Sequence, residues 1–254
     1  MTTPNAGRGK SDLVERTLWK VLLVEPQSRE DFWRSCFLRF SEFPKSGRTL
    51  KRIVRAPDDR KDQVRSCLAE VWYALAFAGL GFQIEMEPLG RKGPDFRISR
   101  EGDSLLVEVK YFENVNPKPP RKVDYETLLA DNFLLEPYGN LERETEKVYR
   151  EIKKKFNQTR EGTSILVIWN GKEDMEELGV ELTTKRLCEE AFDAEIRLPD
   201  SLLFVVYGSA WWGEHQFYCY PLREKQEPYW QWMRELQASR ALPLIKRAIG
   251  HKLV

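Results

Sequence analysis

Apolar residues recur at helical spacing through the first third of the chain. Leu13, Leu18, Val21 and Leu22 form one stripe, which stops at Glu25-Pro26. Phe32, Trp33, Phe37 and Phe40 form a second, with Ser28 placed to cap it. Beyond Pro44 and Gly47 a long helix is expected to run through Ala78. Asp58 or Asp59 would cap it, Val64, Cys67, Leu68, Val71, Leu75 and Ala76 form its buried stripe, and Gly79 and Gly81 end it. The period then drops to two. Phe82 to Glu87 alternates apolar and polar residues, Asp95 to Ser99 does so again, Glu101-Gly102-Asp103 reads as a hairpin turn, and Ser104 to Phe112 as a third strand. A short helix is expected over 125–134 and a charged amphipathic one over 140–158, with Val148, Ile152 and Phe156 as its spine. Ser164 to Trp169 is a continuous apolar run, which marks a strand buried on both faces. A helix over 184–192, strands over 201–208 and 215–221, and a closing helix from Pro228 to Ile249 complete the pattern.

The centre therefore reads α-β-β-β-α-β. A helical extension over 1–57 precedes a core with added strands over 58–222, and a C-terminal helix over 223–254 packs on that core. Composition narrows the class. Of 254 residues, 41% are hydrophobic and 12% aromatic, too many for a disordered chain. Cys36, Cys67, Cys188 and Cys219 form no C-x-x-C pair, and with only His215 and His251 beside them they do not compose a zinc site. Scattered thiols fit a reducing compartment. The start lacks a signal-peptide apolar stretch, and the run Trp72 to Phe82 is too short to span a bilayer, so a soluble, cytoplasmic protein is expected.

Net charge is +1, which argues against a basic nucleic-acid coat. The total hides an asymmetry. Residues 1–66 carry 15 basic and 9 acidic groups, net +6, while residues 67–113 carry 5 and 8, net −3. The acidic segment holds the informative chemistry. Glu108 and Lys110 are two apart on the third strand and so share a face. Asp95 opens the preceding strand and comes within reach if the two pair as a hairpin. Two carboxylates on one surface repel each other, desolvation penalises them and the ammonium alike, and a divalent cation resolves the repulsion. Oxygen-only ligands point to Mg²⁺, with Mn²⁺ as substitute. Such an ion polarises a phosphoryl oxygen and lowers the pKa of a bound water, which Lys110 can hold or deprotonate. The same three charges also suit a solvent-facing ladder of ion pairs. Pro-Asp recurs at 57–58 and 199–200, and acid-x-Lys at 59–61 and 151–153, but only 94–110 joins the two on adjacent strands.

Pro94-Asp95 followed by Glu108-Val109-Lys110 resembles the PD-(D/E)xK nuclease superfamily over roughly residues 60–170. The resemblance implies a restriction-endonuclease-like αβββαβ core with a mixed central sheet, and metal-dependent hydrolysis of a nucleic-acid phosphodiester, with DNA as the expected partner. It implies Asp95, Glu108 and the Val109 carbonyl as metal ligands and Lys110 as the activator of water. It also implies Glu70 as a contribution of the first core helix; the alternative for Glu70 is an ordinary exposed helix carboxylate. From the second core helix it implies Gln158 or Lys154, four apart, as groups that position phosphate. A catalytically silent nucleic-acid-binding or partner-docking protein on the same fold is the alternative.

Two further surfaces stand out. Lys45, Arg48, Lys51, Arg52 and Arg55 form a dense basic cluster suited to phosphate contacts, and Lys118, Arg121 and Lys122 a sparser one. Nine aromatics fall between Tyr207 and Trp232, among them Trp211-Trp212. They suit a core plug, a homodimer or partner interface, or base stacking. Glu85 and Glu87 lie on the polar face of the first strand, as an exposed face or as an added ligand.

Overall fold

The computed structural model describes residues 6–24, 29–90, 93–112, 136–160, 162–170, 177–208, 216–224 and 226–250. Among them are eight helices: α1 (Ala6–Val24), α2 (Glu30–Phe40), α3 (Gly47–Arg55), α4 (Lys61–Gly79), α5 (Glu136–Lys155), α6 (Glu177–Phe192), α7 (Tyr229–Gln237) and α8 (Ala241–Ala248). Six strands, β1 (Gln83–Met86), β2 (Phe96–Arg100), β3 (Asp103–Phe112), β4 (Ser164–Asn170), β5 (Leu202–Gly208) and β6 (Phe217–Pro221), lie in sequence order in one open sheet. The pairs β1–β2, β2–β3 and β5–β6 are antiparallel, and β3–β4 and β4–β5 are parallel. No helix of the described residues is long and apolar enough to cross a membrane.

The pleat sorts the sheet residues to two faces. Val107, Val109, Ile165, Val167, Phe204 and Val206 join the core that α1–α4, α7 and α8 build. Leu166, Ile168, Val205 and Tyr207 join a second core with Val148, Ile152 and Phe156 of α5 and Val180 and Leu187 of α6. The unbroken apolar run of β4 follows from this burial on both sides.

Helix α4 runs through the larger core. From Cys67 to Phe77 every residue is buried, so this helix is apolar nearly all round. Gly79 is required where α8 crosses it, because a Cβ there would stand 2.0 Å from the Leu244 carbonyl oxygen. At the β2–β3 hairpin Arg100 pairs with Asp103, and Glu101 (φ 57°) and Gly102 (φ 94°) supply the two positive φ angles of a type I′ turn. Arg100 then holds α7 to the sheet: it grips Glu235 at 2.7 and 3.1 Å and stacks over Phe82 and Trp232.

Several expectations change. Neither Asp58 nor Asp59 caps α4; Arg60 is its N-cap, without a side-chain bond, and Asp58 pairs with Lys20 of α1 instead. The closing helix is two helices, broken at 238–240. Pro243, in the first turn of α8, cannot donate to the carbonyl of Ser239, and its ring would crowd that carbonyl in a continuous helix. Helix α6 begins at Glu177, seven residues before its expected start. Ser28, the expected helix over 125–134, the basic residues 118–122, Trp211-Trp212 and both histidines lie outside the described residues.

Candidate active site

Strand β2 begins at Phe96, opposite Val107, so one further residue along this register brings Asp95 opposite Glu108. Strand β3 continues past that point to Phe112, and among the described residues no strand lies beside that part of its β2-side edge. Asp95 covers this edge: its Oδ2 accepts the Val109 N–H at 2.8 Å. The N–H and C=O of one strand residue face the same neighbour, so the Val109 carbonyl looks to the same side. The Asp95 main chain is pinned from the other flank, where its carbonyl accepts the Glu87 N–H at 2.7 Å.

Glu108 is 2% exposed. Its Oε1 accepts from Lys155 Nζ, and its Oε2 is buried without a hydrogen-bond partner among the described residues. Lys110, on the same face, lies 2.9 Å from Glu151. Glu151 and Lys155 are four apart on α5 and so share the helix face turned to β3. The helix thus crosses charges with the strand, its Lys on the strand's Glu and its Glu on the strand's Lys.

Glu70 sits on α4, buried at 4% exposure. Arg52 of α3 holds it bidentately at 2.9 and 3.1 Å, and the Thr49 hydroxyl donates to it at 3.3 Å. One turn earlier on α3, Arg48 reaches Glu87 at 2.8 Å. Glu87 is itself buried and holds a positive φ of 43°.

These carboxyls feel one another. Burial and then the Asp95 charge push both Glu70 and Glu108 up, Glu108 to about 8, while Lys155 pulls Glu108 back in part. Burial raises Asp95 too, against the opposing pull of the Val109 N–H, Lys155 and Arg52. Arg52 is raised despite burial because Glu70 favours its cation. Among the described residues no group of three or more His, Cys, Asp or Glu stands close enough to hold a metal as it is. What the site offers a cation is the Asp95 and Glu108 carboxylates, including the orphaned Glu108 Oε2, and the Val109 carbonyl.

The expected residues are therefore only partly together. Glu108, Val109 and Lys110 lie along the second half of β3 with Asp95 bonded to it, and Glu70 is linked to them through the charge of Asp95. On α5 the reading changes. The helix ends at Lys155, so Gln158 lies in the turn beyond it and does not share a helical face with Lys154. Lys154 is exposed and pairs with Glu151, while Lys155 is the lysine that reaches the site. Glu151, Lys155 and Thr49 were not legible as site residues, because their roles depend on how α3 and α5 rotate against the sheet. Glu87 lies just past the end of β1 and is buried against Arg48, so it is not part of an exposed strand face. The basic cluster divides. Lys45, Arg48 and Arg52 are bound to Glu85, Glu87 and Glu70, whereas Lys51 and Arg55 are exposed. Of the aromatic run, Tyr207, Phe217 and Trp232 are buried and serve the core.

Comparison with protein-family models, with curated proteins and with solved structures finds no match to this chain.

Proposed function

We propose that this chain is a metal-dependent nuclease, a phosphodiester hydrolase acting on DNA, built on a restriction-endonuclease-like core of α4, β1–β3, α5 and β4. The fold part is supported by that order of elements, with β1–β3 antiparallel and β4 parallel to β3 across α5. One observation carries the chemical part: Glu108 presents a buried carboxylate oxygen with no partner among the described residues, and burial and then Asp95 raise its proton affinity. Such an oxygen is costly unless a cation or proton meets it. Asp95, Glu108 and the Val109 carbonyl are hard oxygen donors suited to Mg²⁺ or Mn²⁺. When bound, that ion supplies Lewis-acid polarisation of a phosphoryl oxygen and a more acidic water. Lys110, oriented by Glu151, holds the attacking water and balances charge that develops on the phosphate. Glu70, held by Arg52 and Thr49, assists by orienting a water or the metal's surroundings, and Lys154 and Gln158 lie near the end of α5 where they can meet a phosphate backbone.

A second reading, a catalytically silent nucleic-acid-binding or partner-docking protein, is favoured by the α5 clamp, which already neutralises Glu108 and Lys110. A cleavage panel of single-stranded, duplex, nicked and branched DNA and of RNA, with metal varied, separates the two. Cleavage that needs Mg²⁺ or Mn²⁺ and is lost in Asp95→Ala and Lys110→Ala supports the nuclease. Metal-independent binding without cleavage on any substrate supports the second reading.

A further inference from the structure

Beside Glu70, a cavity of about 360 Å³ opens between the end of α3 and the first turns of α4. Its lining is Arg52, Arg55, Ala56, Gln63, Ser66 and Cys67. We propose that this cavity is a phosphate-binding subsite that holds one phosphate group of a nucleic-acid strand next to the carboxylates. The choice of nucleic acid rests on the nuclease reading; the choice of phosphate rests on the cavity itself.

The lining carries two guanidinium groups, one amide and one hydroxyl, and no carboxylate. That donor set matches a tetrahedral oxyanion, which guanidinium binds through paired, charge-assisted hydrogen bonds. Arg55 makes no ion pair with a described residue, unlike Lys45, Arg48 and Arg52 of the same basic run. It remains available to a ligand. Gln63 and Ser66 belong to the first turns of a 19-residue helix, whose N-terminal dipole adds a favourable field for an anion. Cys67 contributes no competing charge, since burial pushes its thiol up and keeps it neutral. The volume lies at the small end of ligand pockets, about 300–1,000 Å³. It suits one phosphate with its attached sugar and is too small for a duplex.

Position connects the cavity to the site. Arg52 forms part of its wall and at the same time grips Glu70, whose carboxyl lies within the field of Asp95. A phosphate seated against Arg55 and the exposed side of Arg52 therefore lies one side chain away from the carboxylates. It is either a terminal phosphate or an internal phosphodiester neighbouring the bond to be cut.

The test uses the full chain in chelator, so that no turnover intervenes. Inorganic phosphate binding is measured by calorimetry, and binding of matched oligonucleotides bearing a 5′-phosphate, a 3′-phosphate or only hydroxyl ends by anisotropy. Arg55→Ala is expected to weaken phosphate binding about tenfold, with Gln63→Ala and Ser66→Ala weakening it less. Arg16→Gln, a surface change on α1, leaves it unaltered. A phosphorylated end that binds more tightly, by a margin lost in Arg55→Ala, identifies the terminal group; equal weakening on all oligonucleotides identifies an internal one. Unchanged phosphate and oligonucleotide affinity in Arg55→Ala, Gln63→Ala and Ser66→Ala overturns the subsite. Cleavage that needs Asp95 but is indifferent to all three variants also overturns it and leaves the nuclease reading in place. Arg55-dependent phosphate binding in a chain that cleaves nothing upholds the subsite and removes the nuclease reading.

Discussion

The Asp95 carboxylate accepts the backbone N–H of Val109 at 2.8 Å, so the residue just before β2 also closes the edge of β3. Asp95 has two separable roles, one structural and one electrostatic. Asp95→Ala strands the Val109 N–H, at a residue only 7% exposed, and is expected to cost about 1–3 kcal/mol. Asp95→Asn keeps an acceptor oxygen and loses the charge. Urea unfolding should therefore show a clear loss for the alanine variant and a small one for the asparagine variant, while both lose Mg²⁺ binding and metal-dependent cleavage. Equal stability of the two variants would remove the structural role.

Glu70 and Arg52 make a second test. Arg52 is half exposed but Glu70 is buried, so above about pH 8, where Glu70 is ionised, removing the guanidinium leaves a buried carboxylate without its main partner. Allowing for solvent at Arg52, Arg52→Ala is expected to destabilise by about 1–3 kcal/mol. Arg52→Lys recovers only part of this, because an ammonium cannot reproduce the two-pronged contact. Adding Glu70→Gln to Arg52→Ala should restore stability, since the buried charge is then gone. A double mutant no more stable than Arg52→Ala contradicts this account.

The pH dependence has a definite sign. Glu108 ordinarily titrates near 4.5 and is pushed up to about 8, first by burial and then by Asp95. The folded chain therefore binds more protons than the unfolded one between these values. Its stabilising contribution is complete below the unfolded value and is lost as pH rises through the folded one. Glu70 acts in the same direction. The thermal midpoint should fall between about pH 6 and about pH 8. Glu108→Gln should flatten that slope, and Mg²⁺ should raise the midpoint more at the alkaline end, where the carboxylates are free of protons. A midpoint that rises over this range in the native chain would contradict the assignment.

The crossing of α4 and α8 depends on a missing side chain. Gly79→Ala would place a methyl 2.0 Å from the Leu244 carbonyl oxygen, which belongs to backbone and cannot swing aside. The expected loss is about 1–3 kcal/mol or more, read as a lower urea midpoint. Gly47→Ala, where a Cβ meets nothing within 4 Å, serves as the comparison and should change stability far less.

Periodicity and spacing carried most of the architecture. The α-β-β-β-α-β order, the hairpin at Glu101-Gly102 and the doubly buried β4 could all be read along the chain, because alternation and apolar stripes are local records of which face is covered. Pro94-Asp95 and Glu108-Val109-Lys110 were likewise visible, since two residues apart on a strand means one face. The break at 238–240 is also written in the chain, as Pro243, which cannot continue a helix from α7.

Other relationships depend on contacts between distant segments. Lys155 rather than Lys154 meets Glu108 because packing of Val148, Ile152 and Phe156 against β4 and β5 sets the rotation of α5. Arg52 and Arg48 turn inward to Glu70 and Glu87 because α3 lies against α4 and the start of the sheet, which spends much of the +6 of residues 1–66 on internal partners. Counting charge along the chain cannot separate Arg55, left facing a cavity, from Arg48, bound to a buried glutamate. Helix rotation and through-space fields arise between segments far apart in the chain, and no local pattern of residues encodes them.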